Sequence, residues 1–113
     1  MLAIVIPYFK LKFFEETLQS IANQTDKRFS VYIGDDASPE DPTDLLNRYN
    51  GYFDLHYYRF SANLGATSLT QHWERCIELS SNEKWMMILG DDDVLGENVV
   101  AKFYEHLPQV EKK

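Results

Sequence analysis

Hydrophobic residues fall along this chain in two patterns. Leu2-Ala3-Ile4-Val5-Ile6 and Trp85-Met86-Met87-Ile88-Leu89 are unbroken apolar runs, as expected of strands buried on both faces of a parallel sheet. Phe14, Leu18, Ile21 and Ala22 stand instead at i, i+4, i+7 and i+8, one stripe of a helix, and Leu69, Trp73, Cys76 and Ile77 repeat that spacing. Read this way, the chain has strands at 2–6, 29–34, 53–60 and 84–89. Helices begin at Phe14 and span 66–79 and 96–107, the last buried through Val99, Val100, Phe103 and Leu107 and ended by Pro108. A further short helix follows Asp41-Pro42, an N-cap with proline at the first helical position. Leu45, Leu46 and Tyr49 form its buried side and Asn50-Gly51 its end.

Strand and helix thus alternate four times, with crossovers long enough for right-handed βαβ units. The expected fold is α/β: one mostly parallel sheet in the order 3-2-1-4 with helices on both faces, formed by a single domain of 113 residues. Open sheets of this kind bind ligands beyond the carboxyl ends of their strands. Asp35-Asp36, Asn63 to Gly65 and Asp91-Asp92-Asp93 all follow strands, so their loops gather at that edge.

Three adjacent aspartates repel one another unless a cation, solvent or backbone N–H groups receive them. A hard divalent ion, Mg²⁺ or Mn²⁺, suits such oxygen ligands, with substrate phosphates completing the shell; the plainer reading is an acidic loop capping the helix that follows. Neither a G-x-G-x-x-G turn nor a G-x-x-x-x-G-K-S/T loop occurs. With 18 acidic residues against 11 lysines and arginines, for a formal charge of −7, the chain has no basic cluster for nucleic acid. Its single cysteine, Cys76, excludes an internal disulfide and fits a reducing, cytoplasmic setting. No apolar run is long enough for a membrane span or a signal sequence, so membrane association is expected only through parts outside this chain.

Five motifs stand in a particular order: Ile4-Val5-Ile6-Pro7-Tyr8, Ser20-x-x-x-Gln24, Ile33-Gly34-Asp35-Asp36-Ala37-Ser38, Asn63-x-Gly65 and Leu89-Gly90-Asp91-Asp92-Asp93. In order and spacing they resemble the N-terminal half of inverting family 2 glycosyltransferases, which have the Rossmann-like GT-A fold of nucleotide-diphospho-sugar transferases. The resemblance implies that Asp36 recognises the base of a nucleotide sugar, that of a UDP-sugar donor, with Asp35 in support. Ala37 stands where glycine is commonest, a departure expected to be harmless in a turn without a positive φ; Ser38 is either a nucleotide contact in that loop or a cap or turn residue that touches no ligand. Pro7 and Tyr8 match the loop over the nucleotide, with the Tyr8 ring either beside the base or in the core. Asn63 and Gly65 match a loop near it, although a tight turn before a helix explains them equally well. His72 falls where relatives carry Arg or Asn and would face diphosphate or solvent.

The metal motif of the family, Asp-x-Asp, aligns its first position with Gly90 and its second with Asp92. Asp92 is therefore the expected direct ligand of Mn or Mg, Asp91 a ribose contact or a support behind the metal, and Asp93 a second ligand or a loop anchor. Cys76, Trp73 and Trp85 are expected in the core. No catalytic residue is named. The general base of inversion belongs to an acceptor-binding half that this chain is not long enough to contain, and Lys112-Lys113 does not read as a natural end. Uncovered apolar surface near Trp85, Val94 and the last helix is expected to favour a homo-oligomer. A nucleotide-binding module without transfer, and an α/β protein-interaction domain, are the alternatives.

Overall fold

A computed structural model describes residues 1–81 and 83–111; Asn82 and Lys112-Lys113 lie outside the described residues. In chain order the elements are β1 (Leu2–Tyr8), α1 (Phe14–Ala22), β2 (Phe29–Asp35), α2 (Thr43–Tyr49), β3 (Asp54–Arg59), α3 (Leu69–Ile77), β4 (Trp85–Ile88) and α4 (Val99–Glu111). The four strands form one parallel sheet, ordered β3-β2-β1-β4, with Ile4 level with Val31 on one side and Met87 on the other. This is the order expected from the sequence.

Burial divides the two faces unequally. Leu2, Ile4, Ile6 and Tyr8 of β1, Val31 and Ile33 of β2, and Leu89 beyond β4 join one core with Phe14, Leu18 and Ile21 of α1, Leu45, Leu46 and Tyr49 of α2, and Val100 of α4. The opposite face carries α3 alone, over β1 and β2. Close approach is possible because β2 presents Gly34 there: a Cβ at this position would come within 2.3 Å of the Cys76 sulfur. Beyond the reach of α3, Met86 and Ile88 of β4 are 43% and 40% exposed. The 85–89 run is therefore an edge strand covered on one side, not the doubly buried strand its composition suggests. Trp85 faces α4, its ring 6.2 Å from that of Phe103, while Val94 is exposed as expected.

Several boundaries shift. β1 continues through Pro7 to Tyr8; its missing N–H is tolerated where pairing ends. α2 begins at Thr43, one residue later than read, although Asp41 still accepts the Thr43 N–H at 3.0 Å. α3 begins at Leu69, because Ser68 caps it by accepting the Gln71 N–H at 3.2 Å. α4 begins at Val99 and runs through Pro108, which costs only one N–H in the final turns. No described helix is long and apolar enough to cross a membrane.

A polar stripe on α1 and its C-terminal extension positions the segment after β4. Thr17, Ser20 and Gln24 are all buried. The Thr17 hydroxyl donates to the Asp93 carbonyl at 2.6 Å, and Ser20 Oγ accepts the Leu95 N–H at 3.1 Å. Gln24 donates to the carbonyls of Ser20 and Gly96, at 3.0 and 2.6 Å, and accepts the Val100 N–H at 3.1 Å. Buried backbone groups stripped of such partners cost free energy. Gln24→Ala should lower the unfolding free energy by about 2 kcal/mol, measured by chemical denaturation with the secondary structure retained.

Candidate functional site

The loops after β1, β2 and β4 leave the sheet at its carboxyl edge and enclose a cleft of about 410 Å³. Asp36, His72 and Asp91-Asp92-Asp93 provide its polar lining; Phe9, Leu69, Trp73 and Ile88 provide an apolar side. Each loop is held by the next. The Asp36 N–H donates to the Tyr8 carbonyl at 3.0 Å, and the Ser38 hydroxyl donates to the Phe9 carbonyl. Asp91 Oδ2 accepts the N–H groups of both Phe9 and Lys10, at 2.7 and 2.8 Å.

Asp35 and Asp36 are both buried but differ in outlook. Asp35 turns into the protein, where it accepts the Ser38 N–H at 2.9 Å, the Tyr57 hydroxyl at 2.5 Å and Arg59 Nη1 at 3.1 Å. Burial and the Asp35 carboxylate push the Tyr57 hydroxyl well above the ordinary tyrosine range, so it remains a donor. Asp36 borders the cleft. Its Oδ1 accepts the Leu64 N–H at 2.7 Å and Arg75 Nη2 at 2.5 Å, and its Oδ2 accepts the Gly65 N–H at 2.9 Å. Since a carboxylate offers about four acceptor positions, Oδ2 retains one.

The three aspartates after β4 separate into two anchors and one uncommitted group. Asp91 holds the loop after β1 as described. Asp93 Oδ2 accepts the Gly90 N–H at 2.9 Å and closes the acidic turn on itself. Asp92 is exposed, and no donor among the described residues reaches its carboxylate. Among the described residues no three His, Cys, Asp or Glu side chains converge on a point that would hold a metal ion. A divalent ion fits this donor set only with ligand oxygens completing its shell.

Other predicted site residues take different places. Pro7 lines the cleft. The Tyr8 ring lies in the core, 4.7 Å from that of Phe14, with its hydroxyl on the Glu40 carbonyl at 2.6 Å, so it offers no open platform. Asn63 is exposed and caps its own turn, accepting the Ala66 N–H at 2.9 Å. Gly65 is needed for close approach, because a Cβ there would meet Asp36 Oδ2 at 2.5 Å. His72 lies in the wall of the cleft and not in solvent: it is 2% exposed, packed edge-on against Phe60, with Nδ1 accepting Arg75 Nε at 3.0 Å. Burial lowers its pKa below the ordinary 6.5, leaving the imidazole neutral at pH 7. Burial likewise pushes the neighbouring Cys76 thiol up to about 12.

The apolar stripe read for α3 is thereby corrected. Leu69 and Trp73, expected in the core, are 54% and 41% exposed along the cleft, while His72 and Cys76 face inward. The helix turns on its axis to bring His72 and Arg75 behind Asp36. Arg75 is the important residue that sequence reasoning missed; its position one turn after His72, on the same helix face, was the available signal. Ala37 is a second correction, since the turn does need a positive φ, and Ala37 sits at 56°. An L-residue is strained in that region. Ala37→Gly should therefore stabilise the fold by about 1 kcal/mol, net of the greater freedom of glycine in the unfolded chain, as measured by denaturant midpoint.

Comparison with solved structures finds this architecture elsewhere. S. aureus TarS superposes with a TM-score of 0.87 at 17% identity, over 97% of this chain and 20% of TarS. TarS 1-349 in complex with UDP-GlcNAc gives 0.85 at 16% identity over 96% of this chain and 31% of that one, and the complex with UDP gives 0.84 at 17% over 96% and 32%. The chain thus spans about a fifth of the longer TarS structure and a third of the shorter ones. These likenesses show the GT-A fold. No curated protein matches the chain. The sequence profile of glycosyl transferase family 2 matches residues 3–112, nearly the whole length, and the chain belongs to that family.

Proposed function

We propose that this chain is the donor-binding part of an inverting glycosyltransferase. It binds a nucleotide-diphospho-sugar, a UDP-sugar, while the acceptor half and the general base that activates the acceptor hydroxyl lie in other parts of the enzyme. One observation carries the reading: in a cleft whose other carboxylates are committed to holding loops, Asp92 alone of the acidic triplet has no donor. An exposed carboxylate at the mouth of such a cleft repels a diphosphate, and the encounter becomes favourable when a cation is shared between them. Mn²⁺ or Mg²⁺ held by Asp92 and the diphosphate would neutralise the charge that develops on the leaving group.

The chain's own groups have distinct parts in this reading. Asp36 offers the remaining acceptor position of Oδ2 to a ring N–H of the base, with Asp35 behind it. Asp91 keeps the Pro7-Tyr8-Phe9 backbone over the cleft, and its second oxygen is available to ribose. Of the two roles expected for Asp93, the bond to the Gly90 N–H favours the anchor. Phe9, Leu69 and Trp73 line one side of the cleft, and a nucleotide packed against them would displace water there, which strengthens polar contacts inside it. The TarS structures with UDP and UDP-GlcNAc support a uridine nucleotide as the ligand class.

The test is calorimetric titration with UDP across a manganese series, for the wild type and Asp92→Asn. Manganese should tighten UDP binding to the wild type, and D92N should lose about tenfold of that gain, the loss expected for one contact to a charged group. Equal metal dependence in the two proteins would remove Asp92 from this role.

A further inference from the structure

The Arg75 guanidinium is held through Nη2, Nε and its face. Nη2 donates to Asp36 Oδ1 at 2.5 Å and to the Ala62 carbonyl at 2.9 Å, and Nε donates to His72 Nδ1 at 3.0 Å. Its central carbon lies 4.0 Å from the centroid of the Phe60 ring. With its side chain only 19% exposed, it joins α3 to the loop before it and to the carboxylate at the end of β2. Meanwhile the Leu64 and Gly65 N–H groups hold the same carboxylate from within that loop. Arg75 and Leu64 occupy Oδ1, whereas Oδ2 accepts Gly65 and keeps one position, in a carboxylate that borders the cleft. Asp36 is thus fixed in rotation.

From this arrangement the geometry points to Arg75 as the positioning residue for nucleobase selection. It acts through Asp36, and the inference rests on the donor-site reading above. Arg75 holds Asp36 in one orientation at the border of the cleft, with a single acceptor position on Oδ2 left unfilled. That position favours a base presenting a ring N–H, as the imide of uracil does, over cytosine, whose N3 is itself an acceptor. The planar fork is required. A lysine ammonium keeps the charge but cannot reach Oδ1, the Ala62 carbonyl and His72 together while stacked on Phe60.

The test compares UDP with CDP by calorimetry at saturating manganese, for the wild type, Arg75→Lys and Arg75→Gln. The wild type should prefer UDP. Both variants should lose about tenfold in UDP affinity, the scale of one well-aligned hydrogen bond to a charged group, with CDP nearly unchanged, so that the preference collapses. Manganese dependence should survive, because Asp92 is untouched. A general structural weakening would lower both nucleotides together and would overturn the inference, as would a wild-type preference in the variants. Should the Arg75 variants fail to fold, Phe60→Leu removes the ring beneath the guanidinium and keeps apolar bulk. It should lose part of the preference, and full retention would count against the role of Arg75. If the wild type binds UDP with metal and these variants discriminate as it does, this inference alone fails. If the wild type binds no UDP, the donor-site reading fails and takes the inference with it.

Discussion

The carboxyl edge of this sheet depends on carboxylates accepting backbone N–H groups, two of them from loops far away in sequence and one from its own turn. Asp36 takes Leu64 and Gly65, Asp91 takes Phe9 and Lys10, and Asp35 takes Ser38. Hydrogen bonds to a charged group are each worth about 1.5–3 kcal/mol. Repulsion between two carboxylates about 4 Å apart in water is closer to 1 kcal/mol. Backbone capture therefore outweighs the crowding of like charge, and an acidic edge can be rigid without a metal bound. Arginine completes the balance where burial is deepest, with Arg59 at Asp35 and Arg75 at Asp36.

Rigidity of this kind gives the acidic triplet its division of labour. Asp91 and Asp93 hold backbone, and the intervening Asp92 projects into the cleft mouth. The turn stays in place because Thr17 and Ser20 of α1, with Gln24 just beyond it, bond to its backbone. Strain appears nearby, at the left-handed Ala37, and is offset by the bonds of Asp35, Asp36 and Ser38 on either side of it. Asp36 is consequently both a proposed ligand contact and a structural anchor. Its removal would free Arg75 and two N–H groups, so binding losses in an Asp36→Ala variant would mix the two roles.

The strands, their order and the clustering of acidic loops were legible in the sequence, because an unbroken apolar run and a four-seven-eight stripe each have one good structural solution. Sidedness was less so. The Trp85 run carries the composition of a doubly buried strand, but composition cannot tell whether a second helix covers both faces, and here α3 stops over β1 and β2. Trp73 and Leu69 matched the core stripe by spacing. The partners that draw His72 and Arg75 inward, Asp36 and Phe60, are distant in sequence and leave no periodic trace. The positive φ at Ala37 was hidden for a related reason, since alanine gives no sign of a conformation imposed by its neighbours' hydrogen bonds. In the Asp35-Asp36 and Asp91-Asp92-Asp93 motifs the residues were visible, whereas the separation into anchors and a free group required the geometry.

The central claim is that the one aspartate of the acidic triplet left without an internal donor marks where metal and diphosphate meet. Paramagnetic broadening by Mn²⁺ in amide-resolved NMR tests it most directly. With UDP present, substoichiometric Mn²⁺ should first erase the resonances of Gly90, Asp91, Asp92 and Asp93, then those of Phe9 and Lys10, whose N–H groups sit on Asp91. Broadening centred instead on the exposed acids of α2 or β3, or unchanged by UDP, would contradict the account.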